Sequence, residues 1–381
     1  MLLIGAGVAS VRCARTLRRH GFAGSILLVG DEPIHPYNRP PLSKELLRAD
    51  LPDELVLAES AAWYARRQIG VRLGTRCMRL DPADGVASFD DGSEAQFEQC
   101  LLATGAEPRR PPIRGAERGV VLRTLADARR LSAAVAPGMR AVITGGGFIG
   151  VEVASSLAAR GAKVVVAELA DELWGGSLGA ALSAWARERL ADAGVTVMTG
   201  TAATAIEHGS VQLGDDLVGA DLVLLAVGVS PRTGLGADAG LAVDDGIVTD
   251  IEHRTSAPSV FAAGDVARVD GARVEHWHAA REGGERAALA MLGQAVPLRR
   301  APWVFSEVAG HQLDVVGSAA ASERVQRFGS DERFVLAYHS AGEVRQVAIV
   351  DASVPVEEAR TLVERSGGLE DLERLFAARG V

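Results

Sequence analysis

The sequence is poor in cysteine, the residue on which small secreted folds and many metal sites depend. Three cysteines occur among 381 residues, and Cys13, Cys77 and Cys100 are far apart, with no C-x-x-C pair among them. A disulfide framework or a zinc site is therefore not expected. We interpret all three as free thiols in a reducing compartment.

Long apolar runs and excess positive charge are also missing. No apolar run reaches the roughly 18 residues that a membrane-spanning helix needs. The chain opens directly into a predicted strand at Leu2, so we expect no secretory signal peptide. The net charge of −9 at pH 7 argues against a general nucleic-acid surface. These absences predict a soluble cytoplasmic protein without a membrane or nucleic-acid partner.

Lysine is almost absent, because arginine supplies nearly all of the positive charge. Only Lys44 and Lys163 occur among 40 basic residues. Arginine is usually acceptable on a solvated surface, so a lysine kept in such a chain is a candidate for a specific role. Glycine, in contrast, is abundant with 43 residues, and many of them follow predicted strands, as in α/β nucleotide-binding proteins.

The first motif is a strand, a glycine-rich turn, a helix and a second strand that leads to an acid. Leu2–Ile4 and Ile26–Val29 are the two apolar strands, and the turn between them reads G-A-G-V-A-S. The acid lies 27 residues after the first glycine. The third small position of the turn is serine, a change that a close helix–strand contact tolerates. The candidate nucleotide-binding residues are Gly5, Gly7, Ser10 and Glu32.

The same pattern recurs about 140 residues later in the chain. Ala141–Thr144 predicts a strand, Val151–Arg160 a helix and Lys163–Ala167 a second strand, and the turn reads G-G-G-F-I-G. The acid follows the first glycine by 23 residues. The candidate residues are Gly145, Gly147, Phe148, Ile149, Gly150 and Glu168.

Two such units in one chain predict two dinucleotide sites. The first glycine permits the sharp turn, the second lets a pyrophosphate approach, and the third lets helix and strand pack closely. The helix N-terminus then offers N–H groups to the phosphates, and the acid accepts the ribose hydroxyls. After Glu168 the chain reads L-A-D-E-L, without arginine, so the second site favours NADH over NADPH.

The rest of the chain alternates strand and helix signals until Pro297 and then changes character. We expect an α/β architecture followed by a separate C-terminal α+β domain. The predicted strands are Cys100–Ala103, Leu222–Val227, Ser259–Ala263, Gln312–Val316, Phe334–Tyr338 and Val344–Val350, and the predicted C-terminal helices are Val356–Glu364 and Leu369–Ala378.

One string of residues is far more specific than the glycine loops. The chain reads G-D-E-P at 30–33 and P-Y-N-R-P-P-L-S-K at 36–44. It continues with L-A-T-G-A at 102–106, V-G-V-S-P at 227–231, F-A-A-G-D-V at 261–266 and E-H-W at 275–277. Over nearly its whole length it resembles the NADH-dependent ferredoxin reductases that serve Rieske-type oxygenases and bacterial cytochromes P450, which are glutathione-reductase-like flavoproteins.

The resemblance implies two Rossmann-like dinucleotide-binding domains and a C-terminal α+β domain. The FAD domain would comprise residues 1–110 and 232–298, the NAD domain 111–231, and the C-terminal domain 299–381. The cofactors would be FAD at the first glycine loop and NADH at the second.

The resemblance also assigns roles to single residues. Glu32 would hold the FAD adenosine ribose, Arg39 would lie near the FAD phosphates, and Asp265 would bond the ribityl chain. Lys44 would lie under the flavin, paired with Glu152, as the two catalytic residues. A lysine there is a compact charge that stabilises the electron density brought by hydride. Further implied contacts are Ala103, Thr104, Gly105, Gly264 and Trp277 for FAD, and Val227 and Gly228 for NAD.

No cysteine occurs in the stretch from Pro36 to Lys44, so the electrons would have no thiol relay. They would leave the flavin directly for a [2Fe–2S] ferredoxin that serves an oxygenase or a cytochrome P450. Ferredoxins are acidic, and the pairs Arg66-Arg67 and Arg299-Arg300, at predicted domain edges, are candidate docking residues. We expect a monomer or a homodimer. No metal site is expected, because His276 and His278 have no third ligand nearby in the sequence.

The C-terminal domain departs from the family pattern, which leaves the electron acceptor open. The family's F-W-S-D-Q-like string reads W-V-F-S-E-V at 303–308, with Phe305 at the usual tryptophan and Glu307 at the usual aspartate. An NADH oxidase or small-acceptor reductase is therefore an alternative. A redox-sensing interaction protein like the apoptosis-inducing factors is a second, and a biosynthetic flavoenzyme with its own substrate is a third.

Overall fold

A computed structural model describes residues 1–49, 51–320 and 322–377. The helices are α1 Val8–Arg19, α2 Glu45–Arg48, α3 Ala61–Arg66, α4 Leu125–Ala134, α5 Phe148–Ala159, α6 Ala180–Asp192, α7 Gly234–Asp238, α8 Trp277–Met291, α9 Val356–Glu364 and α10 Leu369–Ala377. The predicted last helix included Ala378, which lies outside the described residues.

The strands are short and spread over the whole chain. They are β1 Leu2–Ile4, β2 Ile26–Val29, β3 Ile69–Arg72, β4 Cys77–Asp81, β5 Val86–Phe89, β6 Glu94–Gln96, β7 Cys100–Leu102, β8 Ala106–Pro108, β9 Arg140–Thr144, β10 Lys163–Ala167, β11 Thr196–Met198, β12 Ala203–Glu207, β13 Ser210–Leu213, β14 Asp216–Gly219, β15 Leu222–Leu225, β16 Val229–Pro231, β17 Ile247–Thr249, β18 Val260–Ala262, β19 Ala267–Val269, β20 Ala272–Arg273, β21 Trp303–Val308, β22 His311–Gly317, β23 Arg324–Gly329, β24 Phe334–Ser340 and β25 Glu343–Val350.

The chain forms two compact units, each assembled from separate stretches of sequence. The first unit contains Met1–Arg39, Pro52–Glu107 and Val229–Arg299. The second contains Pro40–Leu51, Pro108–Gly228 and Arg300–Val381, of which the described part ends at Ala377.

The first unit is built on a parallel sheet in the order β18-β7-β1-β2-β3. Its central strand β1 reads L-L-I and is buried along its whole length, as expected for a parallel strand covered on both faces. Helices α1 and α8 pack against the sheet, and their side chains share one core with Leu3, Leu28 and Leu101. An antiparallel β4-β5-β6 sheet belongs to the same unit.

The second unit contains a parallel sheet in the order β11-β10-β9-β15 and an antiparallel one in the order β21-β22-β25-β24-β23. Helix α5, which follows β9, is buried over most of its length, including the polar residues Glu152, Ser155 and Ser156. The antiparallel sheet packs with α9 through a core that includes Val347, Ile349 and Leu362. The predicted α/β class and C-terminal α+β region are present, although the aromatic strand β21 and the exposed strand β23 were not predicted.

Within residues 1–49, 51–320 and 322–377, none of the helices has both the length and the apolar character needed to cross a lipid bilayer.

Candidate functional site

In the first glycine loop, the fold requires glycine at position 5 and leaves open space beside Gly7. Gly5 has a φ of +108°, and a Cβ there would lie 2.1 Å from the carbonyl oxygen of Ala103. Gly7 is the N-cap of α1, and a Cβ there would meet no atom within 4 Å. No side chain caps this helix. The start of α1 therefore has no side-chain acceptor and has open space beside Gly7, which fits the phosphates of a dinucleotide.

Ser10 occupies the third small position of the loop without a steric conflict. Its side chain is fully buried, and its hydroxyl has no hydrogen-bond partner among the described residues. A backbone approach as close as that of Gly5 occurs at Gly284 in α8, where a Cβ would lie 2.1 Å from the carbonyl oxygen of Ala9. A second helix thus supplies the small residue that the loop lacks.

The acid of the first unit is held by two side chains from the segment that follows it. The Tyr37 hydroxyl donates to Glu32 Oε2 at 2.7 Å, and Arg39 Nη2 donates to Oε1 at 3.2 Å. The Arg39 guanidinium also lies 5.3 Å from the Tyr37 ring centroid. Because both carboxylate oxygens have a donor, Glu32 is oriented before any ligand arrives.

The other residues expected to contact FAD lie at one edge of the parallel sheet. Strands β1, β7 and β18 are parallel neighbours, with Leu102 opposite both Ile4 and Ala262. The loops that follow them therefore emerge together at the carboxyl edge, where ligands of such sheets bind. These loops contain Gly5, Ala103, Thr104, Gly105, Gly264 and Asp265. In the same unit, Trp277 begins α8, and its indole nitrogen donates to Asn38 Oδ1 at 3.2 Å.

The second glycine loop repeats the geometry of the first at its beginning and differs at its end. Gly145 has a φ of +103°, and its Cβ would lie 2.3 Å from the Ala226 carbonyl oxygen. Gly147 caps α5 without a side-chain partner, and its Cβ would meet nothing within 4 Å. At Gly150 a Cβ would lie only 1.9 Å from the Gly145 carbonyl oxygen. This position therefore requires glycine.

The open start of α5 is not a general property of the second unit. Helix α4 begins with a complete capping box, in which the Thr124 side chain accepts from Asp127 N–H and the Asp127 side chain accepts from Thr124 N–H.

The predicted start of α5 at Val151 was wrong, because the helix already begins at Phe148, directly after the loop glycine. Val227 and Gly228 follow β15, which pairs with β9, so they lie at the same sheet edge.

The acid of the second unit bonds to the backbone of its own loop. Gly146 N–H donates to Glu168 Oε2 at 2.5 Å, and Ala170 N–H donates to Oε1 at 2.8 Å. Each carboxylate oxygen keeps a lone pair for a ribose hydroxyl. Glu168 therefore fits a nucleotide ribose, and its negative charge would repel a 2′-phosphate.

The structure brings Lys44 and Glu152 together in a buried ion pair. Lys44 Nζ lies 2.9 Å from Glu152 Oε1, and the two residues are only 7% and 6% exposed. Ser306 donates to the same oxygen at 2.8 Å, and Ser43 donates to the other one. The Phe305 ring centroid lies 5.6 Å from the ammonium. Buried charges need this kind of saturation, since each missing partner is costly.

Sequence reasoning missed both serines. Ser43 is part of the R-P-P-L-S-K string and Ser306 is part of the W-V-F-S-E-V string. Both serines could have been singled out from these strings, but neither string shows what the hydroxyls contact. Glu307, the residue after Ser306, also has a partner. Its carboxylate forms a two-point ion pair with Arg48, in which Arg48 Nη2 donates at 2.9 Å. Hydrogen bonding to Glu307 raises the pKa of Arg48.

The cysteines have no reactive environment. Cys13 and Cys100 are buried, and burial raises the pKa of both thiols. Cys77 is half-buried, and burial raises its pKa to about 11. All three are free, so the described part of the chain offers no dithiol for electron transfer. His276 and His278 flank the first residue of α8, and no group of three potential metal ligands occurs among the described residues.

Comparison with known proteins agrees with this geometry. The pyridine nucleotide-disulphide oxidoreductase family model matches residues 1–284. The ferredoxin–NAD(+) reductase component of the biphenyl dioxygenase system of Paraburkholderia xenovorans (strain LB400) is 39% identical over 329 residues, which cover 83% of this chain and 80% of that protein. Rubredoxin–NAD(+) reductase of Pseudomonas putida is 31% identical over 332 residues, which cover 84% of this chain and 86% of that protein.

Among solved structures, the covalent complex of putidaredoxin reductase with putidaredoxin contains a similar chain. The TM-score is 0.92 at 28% identity, and the match covers 100% of this chain and 98% of that one. The fold and the two loops define a dinucleotide-dependent oxidoreductase. The chain belongs to the pyridine nucleotide-disulphide oxidoreductase family. The predicted glutathione-reductase-like fold, the FAD and NADH cofactors and the resemblance to ferredoxin reductases are thereby confirmed.

Proposed function

We propose that this protein is an NADH-dependent ferredoxin reductase that supplies electrons to an oxygenase or a cytochrome P450 through a [2Fe–2S] ferredoxin. The observation that carries the proposal is the buried Lys44–Glu152 pair, held by two serine hydroxyls and without a cysteine beside it. This arrangement provides a fixed positive charge but no thiol acceptor. The names of the ferredoxin-linked relatives support the same acceptor class.

The two loops divide the cofactors between them in this proposal. The first loop with Glu32 and Arg39 holds FAD, and the second loop with Glu168 holds NADH. Bound FAD supplies the redox chemistry, because it accepts a hydride and releases electrons singly. Lys44 contributes a charge that favours the reduced cofactor, and Glu152 keeps that ammonium in place. Asp265 and Trp277 contribute further FAD contacts.

We also propose the domain division that the family resemblance implies. Residues 1–110 and 232–298 form the FAD domain, 111–231 the NAD domain, and 299–381 the C-terminal domain, of which residues 321 and 378–381 lie outside the described part. The protein works in the cytoplasm, where NADH is generated and unpaired cysteines stay reduced.

The docking surface for an acidic ferredoxin is expected to use exposed arginines. Arg66 and Arg67 are both exposed, and Arg67 stacks over Trp63 at 4.5 Å. Arg300, in contrast, is engaged by Glu357 and Glu364, so its charge is already compensated. We therefore favour the pair at 66–67 over the pair at 299–300. Replacing both with glutamate should slow ferredoxin reduction in low salt and leave reduction of the protein by NADH unchanged.

The acceptor is tested by reoxidation of the reduced protein. The FAD-loaded protein is reduced with NADH in the absence of oxygen and mixed with a panel of [2Fe–2S] ferredoxins, a rubredoxin, quinones and oxygen. We expect at least one ferredoxin to react fastest. If no ferredoxin reacts faster than oxygen, the ferredoxin-reductase proposal fails.

A rubredoxin is the second candidate acceptor, since a rubredoxin reductase is among the similar proteins. Its match covers about as much of this chain as that of the biphenyl dioxygenase reductase. The Phe305 and Glu307 departures lie in the strand that contacts Lys44 and Arg48, so they are in a position to affect acceptor choice. Preference for rubredoxin over every ferredoxin in the panel would establish this alternative.

A further inference from the structure

Trp174 lies against the second glycine loop in an unusual backbone conformation. Its φ and ψ are 56° and 21°, in the left-handed region, although it has a large side chain. The two residues that follow are glycines with φ values of +58° and +73°. Non-glycine residues in this region are rare and concentrate at ligand-binding sites.

The backbone of Trp174 bonds to Gly146 of the second glycine loop, the same residue to which Glu168 bonds. Trp174 N–H donates to the Gly146 carbonyl oxygen at 2.9 Å, while Gly146 N–H donates to the Glu168 carboxylate. The ring of Trp174 also contacts Phe148, the first residue of α5, with centroids 6.1 Å apart. Trp174 is therefore part of the loop assembly.

The indole N–H of Trp174 is a donor without an acceptor. The residue is only 6% exposed, and its Nε1 has no hydrogen-bond partner among the described residues. A buried donor left in this state costs free energy, which a ligand with a suitably placed acceptor restores. Pyridine dinucleotides carry such acceptors in their phosphates, ribose hydroxyls and carboxamide.

We propose that Trp174 is a binding residue for the pyridine dinucleotide, and that its indole N–H donates to an oxygen of the bound nucleotide. This inference rests on the proposed NADH site at the second loop. It adds a contact from outside the glycine motif and the acid, at a position where the sequence reads L-W-G-G-S.

The test uses Trp174→Phe, which keeps an aromatic ring and removes the N–H group. We expect the Kd for ADP-ribose and for NADH to rise about tenfold, the usual effect of one lost hydrogen bond. Flavin content and kcat at saturating NADH should stay unchanged. The Tm of the nucleotide-free protein should be unchanged or higher, because the variant removes an unsatisfied donor. A purely structural tryptophan would show the reverse, a lower Tm with unchanged Kd.

Trp185→Phe is the matched control. Trp185 is a buried tryptophan of α6 in the same unit, and its ring packs edge-on against His311 and Phe334. This variant should bind ADP-ribose as the parent protein does.

The contact can be observed directly in the indole ¹H–¹⁵N NMR spectrum of the FAD-loaded protein during titration with ADP-ribose. One indole signal should move downfield, and that signal should be missing in Trp174→Phe. Unchanged ADP-ribose and NADH affinity in Trp174→Phe, or an unmoved Trp174 signal at saturation, would overturn the inference and leave the proposed NADH site intact. Failure of the parent protein to bind ADP-ribose at all would overturn both.

Discussion

The two glycine loops begin alike and are completed in different ways. Gly5 and Gly145 both approach the carbonyl of the residue that follows a neighbouring strand, so closely that a Cβ is excluded. At the third small position, however, Gly150 contacts its own loop, whereas Ser10 is accommodated in the first unit. A further close backbone approach in the first unit is made by Gly284 of α8 to Ala9, the residue before Ser10. The same motif can therefore be stabilised from within the loop or from a helix far away in sequence.

The acids and the first helical turns differ as well. Glu32 is oriented by the side chains of Tyr37 and Arg39, whereas Glu168 is oriented by backbone N–H groups. Five residues after the helix N-cap, α1 has Arg12, paired with Glu285, and α5 has Glu152, paired with Lys44. The first pair is partly exposed and the second is buried. The two equivalent helix positions thus have opposite charge, and we expect their ion pairs to contribute differently to the free energy of unfolding.

The largest effect should come from breaking the buried pair. Lys44→Met leaves the Glu152 carboxylate buried with only serine donors, and we expect a loss of about 3–5 kcal/mol in the free energy of unfolding. Reduction of bound flavin by NADH should slow by roughly 10²–10³-fold, since a preorganised charge is lost. Chemical denaturation and anaerobic stopped-flow absorbance measure the two effects.

Arg12→Met is the matched control, because its pair with Glu285 is partly exposed, and it should cost no more than about 1 kcal/mol. Adding Glu152→Gln to Lys44→Met should recover most of the stability but not the rate. Equal losses from Lys44→Met and Arg12→Met would contradict the difference between the two helices.

The third loop position should be the next most sensitive. Gly150→Ala places a Cβ against the Gly145 carbonyl and should cost about 1–3 kcal/mol, with weakened NADH binding. Ser10→Ala should be neutral or slightly stabilising, since it removes a buried hydroxyl without a partner among the described residues. Thermal unfolding measures the stability of both variants, and nucleotide titration measures their NADH binding. Similar costs at the two positions would show that the loops are supported alike.

Much of this comparison could be predicted from sequence, because it depends on local spacing. Both strand–turn–helix units with their flanking strands, and both acids, followed from short motifs, and Lys44 with Glu152 followed from family resemblance. The support of each loop could not be predicted. Gly284, Ser306 and Trp174 act through contacts between segments far apart in the chain, and the role of a small or polar residue in such a contact leaves no periodic signal.

Acid should affect the first unit through His253. This side chain is buried, its Nδ1 bonds to the Ala262 carbonyl oxygen of β18, and burial lowers its pKa from 6.5 to about 4. The unfolded chain takes up a proton near pH 6.5 and the folded chain only near pH 4, so stability falls as the pH drops between these values. The expected loss is about 2 kcal/mol at pH 5 relative to pH 7.

Urea unfolding at the two pH values, followed by flavin release, measures this loss. His253→Gln does not titrate in this range, so its stability should depend less on pH by about the same amount. An equally steep pH dependence in the variant would assign the acid sensitivity to other groups.

The smallest of these effects should come from replacing Glu168 and Glu32, and the two replacements should affect different cofactors. Glu168→Ala should raise the Kd for NADH about tenfold, because the acceptor for the ribose hydroxyls is lost. It should also reduce the preference for NADH over NADPH, because the charge that repels the 2′-phosphate is lost. Glu32→Ala should lower the FAD content of the purified protein and leave the NADH/NADPH preference unchanged. A change of nucleotide preference in Glu32→Ala would break the assignment of one cofactor to each loop.

The central claim is that FAD and NADH occupy separate sites in one chain and exchange a hydride. An anaerobic titration of the FAD-loaded protein and of its Glu168→Ala variant with NADH tests it most directly. We expect one equivalent of NADH to bleach the visible flavin band of the parent protein. The variant should keep its full flavin content and need a higher NADH concentration for the same bleaching. A flavin band that excess NADH does not bleach, or a Glu168→Ala variant that has lost its FAD, would contradict the claim.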